Sequence, residues 1–175
     1  MYCEIKTNRL LLRPLNIRDL KAVHAYASDR ENTAYMYLLS HDTEEETRRF
    51  LTEVTEEWEK ETPGFYEFAV MLGGAQIGAV SVALNEARTE GELAWIIDKR
   101  YWKKGYAAEA ALALKDFAVN TLKLSKLTAN CDYRNSGSYR LMEKIGLRLE
   151  SDSGTRTYPK SGETVRELTY SLIIG

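Results

Sequence analysis

The sequence has 175 residues, of which 44% are hydrophobic and 29% are charged, and its formal net charge is −2. This composition is typical of a folded globular chain of one domain, and the acidic balance disfavours a nucleic-acid-binding module. No apolar run approaches the roughly 20 residues of a membrane helix, and no basic segment precedes an apolar one at the N-terminus. We therefore expect a cytoplasmic protein that associates with neither nucleic acid nor membrane.

The two cysteines are too few for a disulfide framework, and the two histidines are too few for a typical metal site. Cys3 and Cys131 form no CxxC pair, which fits a reducing compartment. His24 and His41 lack metal-ligand spacing with either cysteine, so we expect no bound metal.

The N-terminal part of the chain predicts one strand followed by two helices. Residues 9–15, RLLLRPL, form a short apolar run that is typical of a strand. Residues 17–29 repeat apolar side chains at helical spacing. Residues 43–61 predict a second helix, whose acidic first turn suits the positive end of the helix dipole. The Pro-Gly pair at 63–64 ends this helix.

The remainder of the chain is richer in strands. The runs 65–72 and 76–84 are joined by Gly73-Gly74, which indicates a β-hairpin. Residues 105–122 predict a helix, and its many alanines would let it lie close to a sheet. Residues 135–146 predict a shorter helix that ends at a glycine. Further strands are expected at 91–98, 125–131, 147–152 and 165–173, with a turn at 158–163.

The resulting order, β-α-α-β-β-β-α-β-α-β-β, predicts an α+β fold in which one sheet is the centre of a single domain spanning 1–175. The order shows no internal repeat and no linker. The two C-terminal strands could pair with a second copy at a sheet edge, so a monomer and a homodimer both remain open.

The stretch YWKKGYAAEA, residues 101–110, places two lysines and a glycine at the start of a predicted helix. The first N–H groups of a helix lack internal partners and favour a phosphate group. Gly105 would let the backbone approach such a ligand closely, and Lys103 and Lys104 add positive charge. The alternative is an ordinary strand-to-helix turn with two solvated lysines. The stretch matches neither the P-loop pattern nor the dinucleotide-binding pattern.

Three segments, in this order, resemble the GNAT superfamily of N-acetyltransferases, in particular its RimJ/RimL-like branch, which acetylates the N-termini of ribosomal proteins. WKKGYA (102–107) is similar to the acyl-CoA pyrophosphate loop, Q/R-x-x-G-x-G/A, with Trp102 in place of the Gln or Arg. TNRLLLRPL (7–15) resembles the first strand of that branch, and NSGSYRLMEKIGL (135–147) resembles its late helix. The resemblance covers nearly the whole chain. It implies the GNAT fold, with a mixed, mostly antiparallel central sheet of about seven strands and helices on both faces.

The resemblance also implies where acetyl-CoA, the acetyl donor, would bind. The strand before the loop splays from its neighbour in this family, and its free backbone pairs with the pantetheine arm. The matching positions are Trp95, Ile96 and Ile97, whose side chains we expect in the core. The pyrophosphate would lie on the loop and the first helical turn, which comprise Trp102, Lys103, Lys104, Gly105, Tyr106, Ala107 and Ala108.

Asn135 and Ser138 lie three residues apart and therefore share one face of the late helix. Asn135 could simply cap this helix, and Ser138 could be a solvated hydroxyl. The resemblance implies instead that Asn135 faces the pantetheine arm and that Ser138 donates a proton to the departing thiolate. Tyr139 is a rival donor, because its intrinsic pKa is lower.

The amine acceptor must lose a proton, and a carboxylate can take it directly or through water. Glu92, in the strand that leads to the loop, is the candidate base, and superfamily members often place a catalytic glutamate there. Glu67 is the alternative, and each could equally be a surface carboxylate. Cys131 is interpreted as a packing residue, because no histidine lies near it in sequence to activate a nucleophilic thiol. Trp95 and Trp102 could line an acceptor pocket or belong to the core and its rim.

We therefore predict an N-acetyltransferase that moves the acetyl group of acetyl-CoA directly to a primary amine, with a backbone N–H near Ile96 polarising the carbonyl. The acceptor could be a protein N-terminal α-amine or a small-molecule amine, since a fold does not determine a substrate. The regions 29–45 and 153–165 would decide between them. The alternative in another class is a non-catalytic acyl-CoA sensor, which would need neither Glu92 nor Ser138.

Overall fold

The computed structural model describes residues 3–37 and 40–175. In this part of the chain, eight strands form one sheet, and four α-helices accompany it. The strands are β1 (Ile5–Lys6), β2 (Leu11–Pro14), β3 (Phe65–Leu72), β4 (Ala75–Leu84), β5 (Glu90–Ile97), β6 (Lys126–Asp132), β7 (Arg148–Thr157) and β8 (Thr164–Ile173). The helices are α1 (Leu20–Ala27), α2 (Glu44–Glu59), α3 (Tyr106–Asp116) and α4 (Ser136–Lys144).

The sheet has the strand order β1-β2-β3-β4-β5-β6-β8-β7. Among the described strands, β5 and β6 pair in parallel and every other neighbouring pair is antiparallel. The predicted mixed, mostly antiparallel sheet is therefore confirmed, with eight strands rather than about seven. The additional strand is β1, whose two residues pair with Leu11 and Leu12 of β2. A strand of two residues has no apolar pattern by which it could be recognised.

The core forms on the sheet where aromatic side chains from distant parts of the chain meet. Tyr66 and Phe68 of β3 make edge-to-face contacts with Phe117, after α3, and with Trp58 of α2. Such tilted contacts between rings contribute beyond the area they bury. The alanines of α3 allow a close approach to the sheet, as predicted, and Ala110 and Ala111 are fully buried. No helix in the described ranges is long and apolar enough to cross a bilayer.

Three predicted boundaries differ from the structure by more than two residues. The helix predicted at 17–29 begins as a 3-10 turn over residues 17–19, and the helix predicted at 105–122 ends as an α-helix at Asp116 and continues as a π-helical turn to Thr121. The strand predicted at 147–152 extends to Thr157, so residues 153–157 are strand and not loop. This strand lies at the sheet edge with most of its side chains exposed, so it has no alternating apolar pattern.

Candidate active site

The central feature of the site is a cleft where β5 and β6 separate. Their parallel pairing covers only Glu90–Glu92 and Lys126–Thr128. Beyond it, the described pairings of β5 are with β4 alone, and those of β6 are with β8 alone. One backbone edge of each strand therefore faces the cleft, free to pair with an extended, amide-bearing ligand.

The three predicted cleft residues lie on the β5 wall. Ile96 and Ile97 are buried, and Trp95 is partly buried against the core. Their main chain thus borders the cleft while their side chains pack, as expected from the sequence. Trp102 lies beyond the end of this strand, where its indole N–H donates to the Ile97 carbonyl at 2.7 Å. This bond anchors the following loop to β5.

The loop at 102–107 has an unusual backbone. Lys103 has a φ of 60° and Gly105 a φ of 82°, and both values lie in the left-handed region. Glycine adopts this conformation without a steric penalty, whereas lysine does not. Gly105 directly precedes α3 and offers no side chain to cap its first turn.

The amide groups of this loop are available to a ligand. In the described part of the chain, the N–H groups of residues 103–108 donate to no protein acceptor. Lys103 and Lys104 are exposed beside them. Unpaired amides at a helix N-terminus, with two nearby cations and no Cβ on Gly105, fit a phosphate group.

Asn135 and Ser138 lie beyond the end of β6, on the opposite wall. The Asn135 side-chain carbonyl accepts from the Ser138 N–H at 3.2 Å, so Asn135 caps α4. This leaves its amide NH₂ group without a protein acceptor among the described residues. Tyr139 is partly buried against the core. The structure therefore brings Asn135 and Ser138 to one end of the cleft and packs Tyr139 beside them.

Cys131 lies on β6 in contact with Ser138. Burial raises the pKa of its thiol to about 11, and Arg156 and the Ser138 hydroxyl oppose this shift only partly. The thiol is therefore protonated near neutral pH and is a poor nucleophile. Its place in the core confirms the interpretation of Cys131 as a packing residue.

The two candidate carboxylates lie on the same face of the sheet. Glu67 on β3 lies opposite Ser81 on β4, which in turn lies opposite Ala94 on β5. Glu92 is two residues before Ala94 on the same strand, so its side chain points to the same face. This spacing across two strands puts their Cα atoms roughly 12 Å apart. They are therefore two separate candidates and not a coupled pair.

Glu92 and Glu67 differ in how far they are exposed to solvent. Glu92 is exposed and occupies the last position of the β5–β6 pairing, where the cleft begins. Glu67 is half-buried, and burial of its carboxyl raises the pKa to about 7, although a hydrogen bond from the Ser81 hydroxyl opposes the shift. A carboxyl with this pKa can hold or release a proton near neutral pH.

Two groups of residues near the site were not found in the sequence analysis. Arg9, before β2, contacts the loop at 102–107 and Glu109 of α3. Asp132, at the end of β6, is fully buried and accepts from Arg134 and from the Tyr158 hydroxyl. Arg9 and Glu109 lie in segments that the sequence analysis considered, TNRL and the predicted helix after Gly105. Their separation of 100 residues gives no indication that they are in contact.

Arg134 joins the second cleft wall to the surrounding loops. It forms a bidentate ion pair with Asp132, contacts Glu163 and lies 5.6 Å from the ring of Tyr35. Tyr35 belongs to the α1–α2 region, and Glu163 to the turn before β8. These are parts of the two regions expected to select the acceptor, although residues 38 and 39 of the first lie outside the described residues.

A splayed sheet whose open strand leads into a loop of free amides fits an extended, amide-bearing ligand that carries a phosphate group. The sequence profile described as "Acetyltransferase (GNAT) domain" matches residues 9–148. This chain belongs to the GNAT family of acetyltransferases and is an acetyl-CoA-dependent N-acetyltransferase.

Individual proteins agree with this membership. The chain is 30% identical over 171 residues to a Bacillus subtilis protein named "Uncharacterized N-acetyltransferase YnaD", covering 97% of this chain and 96% of that one. A GNAT-family acetyltransferase from Bacillus anthracis is 32% identical in its crystal structure, with a TM-score of 0.84 and 98% of both chains covered. RimL, described as a ribosomal L7/L12 α-N-protein acetyltransferase, is 15% identical with a TM-score of 0.86, and the likeness covers 99% of this chain and 96% of that one. This chain thus has the same fold as RimL, a member of the branch whose motifs its sequence resembles.

Proposed function

We propose that the chain, acting as one domain over residues 1–175, transfers the acetyl group of acetyl-CoA by direct attack of a primary amine, and that the acceptor is a protein N-terminal α-amine. The observation that carries the proposal is the open edge of β5, which leads directly to the unpaired amides at 103–108. The pyrophosphate would be held by these amides, Lys103 and Lys104. The pantetheine arm would pair with the main chain of Trp95, Ile96 and Ile97, with Asn135 across the cleft.

The protein must stabilise the negative charge on the thioester oxygen, accept the proton of the amine and protonate the departing thiolate. A backbone N–H near Ile96 donates to the thioester oxygen as negative charge develops there. The amine nitrogen forms its bond to the carbonyl carbon and loses a proton, and the C–S bond then breaks. Ser138 donates a hydrogen bond or a proton to the departing sulfur. The thiol of Cys131, protonated near neutral pH, takes no covalent part.

Glu67 is the better-supported acceptor of the amine proton, because its pKa of about 7 matches the working pH of a general base. It takes the proton directly or through a bound water. Glu92, at the start of the cleft, attracts the cationic amine and is the alternative base.

A base with a pKa of about 7 suits an α-amine better than the amine of a lysine side chain, because the α-amine loses its proton more easily. An α-amino group has a pKa of about 8, whereas a lysine amine has one of about 10.4, so far more of the α-amine is neutral near pH 7. Two proteins with the same fold have names that point to this class. They are RimL and a protein from Vibrio cholerae described as a putative ribosomal-protein-serine acetyltransferase, which is 23% identical.

The test is release of free thiol from acetyl-CoA in the presence of three acceptor sets. The sets are peptides with a free N-terminus, the same peptides with a blocked N-terminus and an internal lysine, and small diamines. We expect turnover with the first set alone. Turnover with diamines alone would assign a small-molecule acceptor, and binding of acetyl-CoA without turnover in any set would support the sensor.

A further inference from the structure

The segment before β2 is fastened to the first turn of α3. Glu109 accepts from the Thr7 hydroxyl at 2.6 Å and from the Arg9 N–H at 2.7 Å through one oxygen. Its other oxygen accepts from the Arg9 Nε at 2.7 Å. Burial disfavours the charge on Glu109, but these hydrogen bonds outweigh it and hold the pKa of the carboxyl below its usual value. Glu109 therefore stays ionised and fixes the direction of the Arg9 side chain.

Arg9 also contacts the proposed phosphate loop directly. Its Nη1 donates to the Lys104 carbonyl at 3.0 Å, and its guanidinium lies 4.6 Å from the centre of the Tyr106 ring. These contacts reach the residues on both sides of Gly105, one through the Lys104 carbonyl and the other through the Tyr106 ring. They lie next to Lys103, whose left-handed conformation costs energy and persists only where its surroundings hold it.

The remaining nitrogen of Arg9 is a donor without a protein acceptor in the described part of the chain. It is Nη2, and it lies 3.3 Å from the point that a Cβ on Gly105 would occupy. The side chain of Arg9 is 41% exposed, so this edge of the guanidinium is accessible. Guanidinium groups bind phosphate oxygens through such paired N–H donors.

We propose that Arg9 is part of the acetyl-CoA site, where it holds the loop at 103–105 in its binding conformation and donates from Nη2 to the pyrophosphate. Glu109 is the positioning residue that aims it. This inference rests on the proposed function, since it requires acetyl-CoA to bind at this loop. It makes the segment before β2 part of the cofactor site, in addition to the loop itself.

The experiment compares acetyl-CoA with S-acetylpantetheine, which has the same thioester but no pyrophosphate or nucleotide. The variants are Arg9→Met, Arg9→Lys and Glu109→Gln, and Arg148→Met is the matched control because Arg148 is exposed on β7, away from the loop. For Arg9→Met we expect the KM for acetyl-CoA to rise about tenfold, the scale of one lost hydrogen bond to a charged group. We expect kcat/KM for S-acetylpantetheine to stay at the wild-type value. Arg9→Lys and Glu109→Gln should each give an intermediate KM for acetyl-CoA. Arg148→Met should leave the kinetic constants for both substrates at their wild-type values.

Two results would overturn the inference. One is an equal loss with both substrates, which would make Arg9 a purely structural residue. The other is an unchanged KM for acetyl-CoA in Arg9→Met. If Arg9→Met does not fold, Arg9→Lys decides the same question, because it keeps the charge and most of the side chain. Failure of the proposed function is distinguishable, because it appears in the wild-type protein, as no binding of acetyl-CoA or as no turnover with N-terminal peptides, whereas failure of this inference appears only in the Arg9 variants.

Discussion

The carboxyl group of Glu67 on β3 is hydrogen-bonded by the hydroxyl of Ser81, its register partner on β4. The same carboxyl is sufficiently buried for its pKa to rise to about 7. Glu67 is thus a carboxyl whose pKa lies in the physiological range.

If Glu67 is the general base, it must be ionised to accept a proton, so activity should rise with pH. We expect kcat/KM for the amine to increase through a transition near pH 7, and we expect Glu67→Gln to lower kcat roughly a hundredfold or more and to remove this transition. A rate profile from pH 5.5 to 9 at saturating acetyl-CoA measures both effects. Glu92→Gln is the paired variant. Loss of the transition in Glu92→Gln but not in Glu67→Gln would assign the base to Glu92.

The raised pKa of Glu67 also predicts a cost in stability. A carboxyl whose folded pKa exceeds its unfolded value stabilises the protein below the unfolded pKa, and this contribution is lost as pH rises through the folded pKa. A shift from 4.5 to about 7 corresponds to an upper limit of about 3 kcal/mol. Glu67→Gln should therefore increase the free energy of unfolding at pH 8 and have little effect at pH 4.5. Urea unfolding at the two pH values provides the measurement, and equal changes at both would contradict the buried-carboxyl account.

Ser138 is expected to act on the leaving group and not on binding. Ser138→Ala should lower kcat roughly a hundredfold while leaving the KM for acetyl-CoA near the wild-type value. Tyr139→Phe, which removes the neighbouring hydroxyl, should have little effect on either constant. The reverse pattern would assign proton donation to Tyr139. Steady-state kinetics with both substrates varied separates these outcomes.

Asp132 should be important for stability, because it is fully buried and joins β6 to the turn before β8. Burial opposes its ionisation, but hydrogen bonds from Arg134 and Tyr158 outweigh this and lower its pKa. Its contribution is therefore present above its usual pKa and is lost as pH falls through the lower folded value. At pH 7, Asp132→Asn should cost about 3–5 kcal/mol, and Tyr158→Phe about 1 kcal/mol. Asp152→Asn, at an exposed position of β7, should be neutral in the same thermal and urea unfolding assays.

The fold could be predicted largely because its central strands carry strong local patterns. The hairpin formed by β3 and β4 is an example: its turn residues, Gly73 and Gly74, both have positive φ, and the strand bounds agree to within one residue. β1 and the second half of β7 could not be predicted, since one has two residues and the other consists of small and polar residues at the sheet edge. Neither provides an apolar pattern, which is the signal that sequence analysis detects.

The candidate site likewise contains residues that could be predicted from the sequence and residues that could not. The loop around Gly105 is continuous in sequence, so its glycine, lysines and helix start could be read together. Arg9 and Glu109 lie 100 residues apart, and only the fold brings them into contact. The pKa of Glu67 depends on which side chains cover it, and the alternation of β3 does not contain that information.

The central claim is that the loop at 102–107 binds the pyrophosphate of acetyl-CoA, and calorimetric titration of the protein with acetyl-CoA tests it most directly. The wild-type protein should bind, with a Kd in the micromolar range. Gly105→Glu should not bind detectably, because it places a side chain and a negative charge beside the amides that would hold the phosphate. Circular dichroism of the variant, and its midpoint of thermal unfolding, establish that it is folded. Wild-type binding that persists unchanged in folded Gly105→Glu would contradict the account, and so would a wild-type protein that does not bind acetyl-CoA.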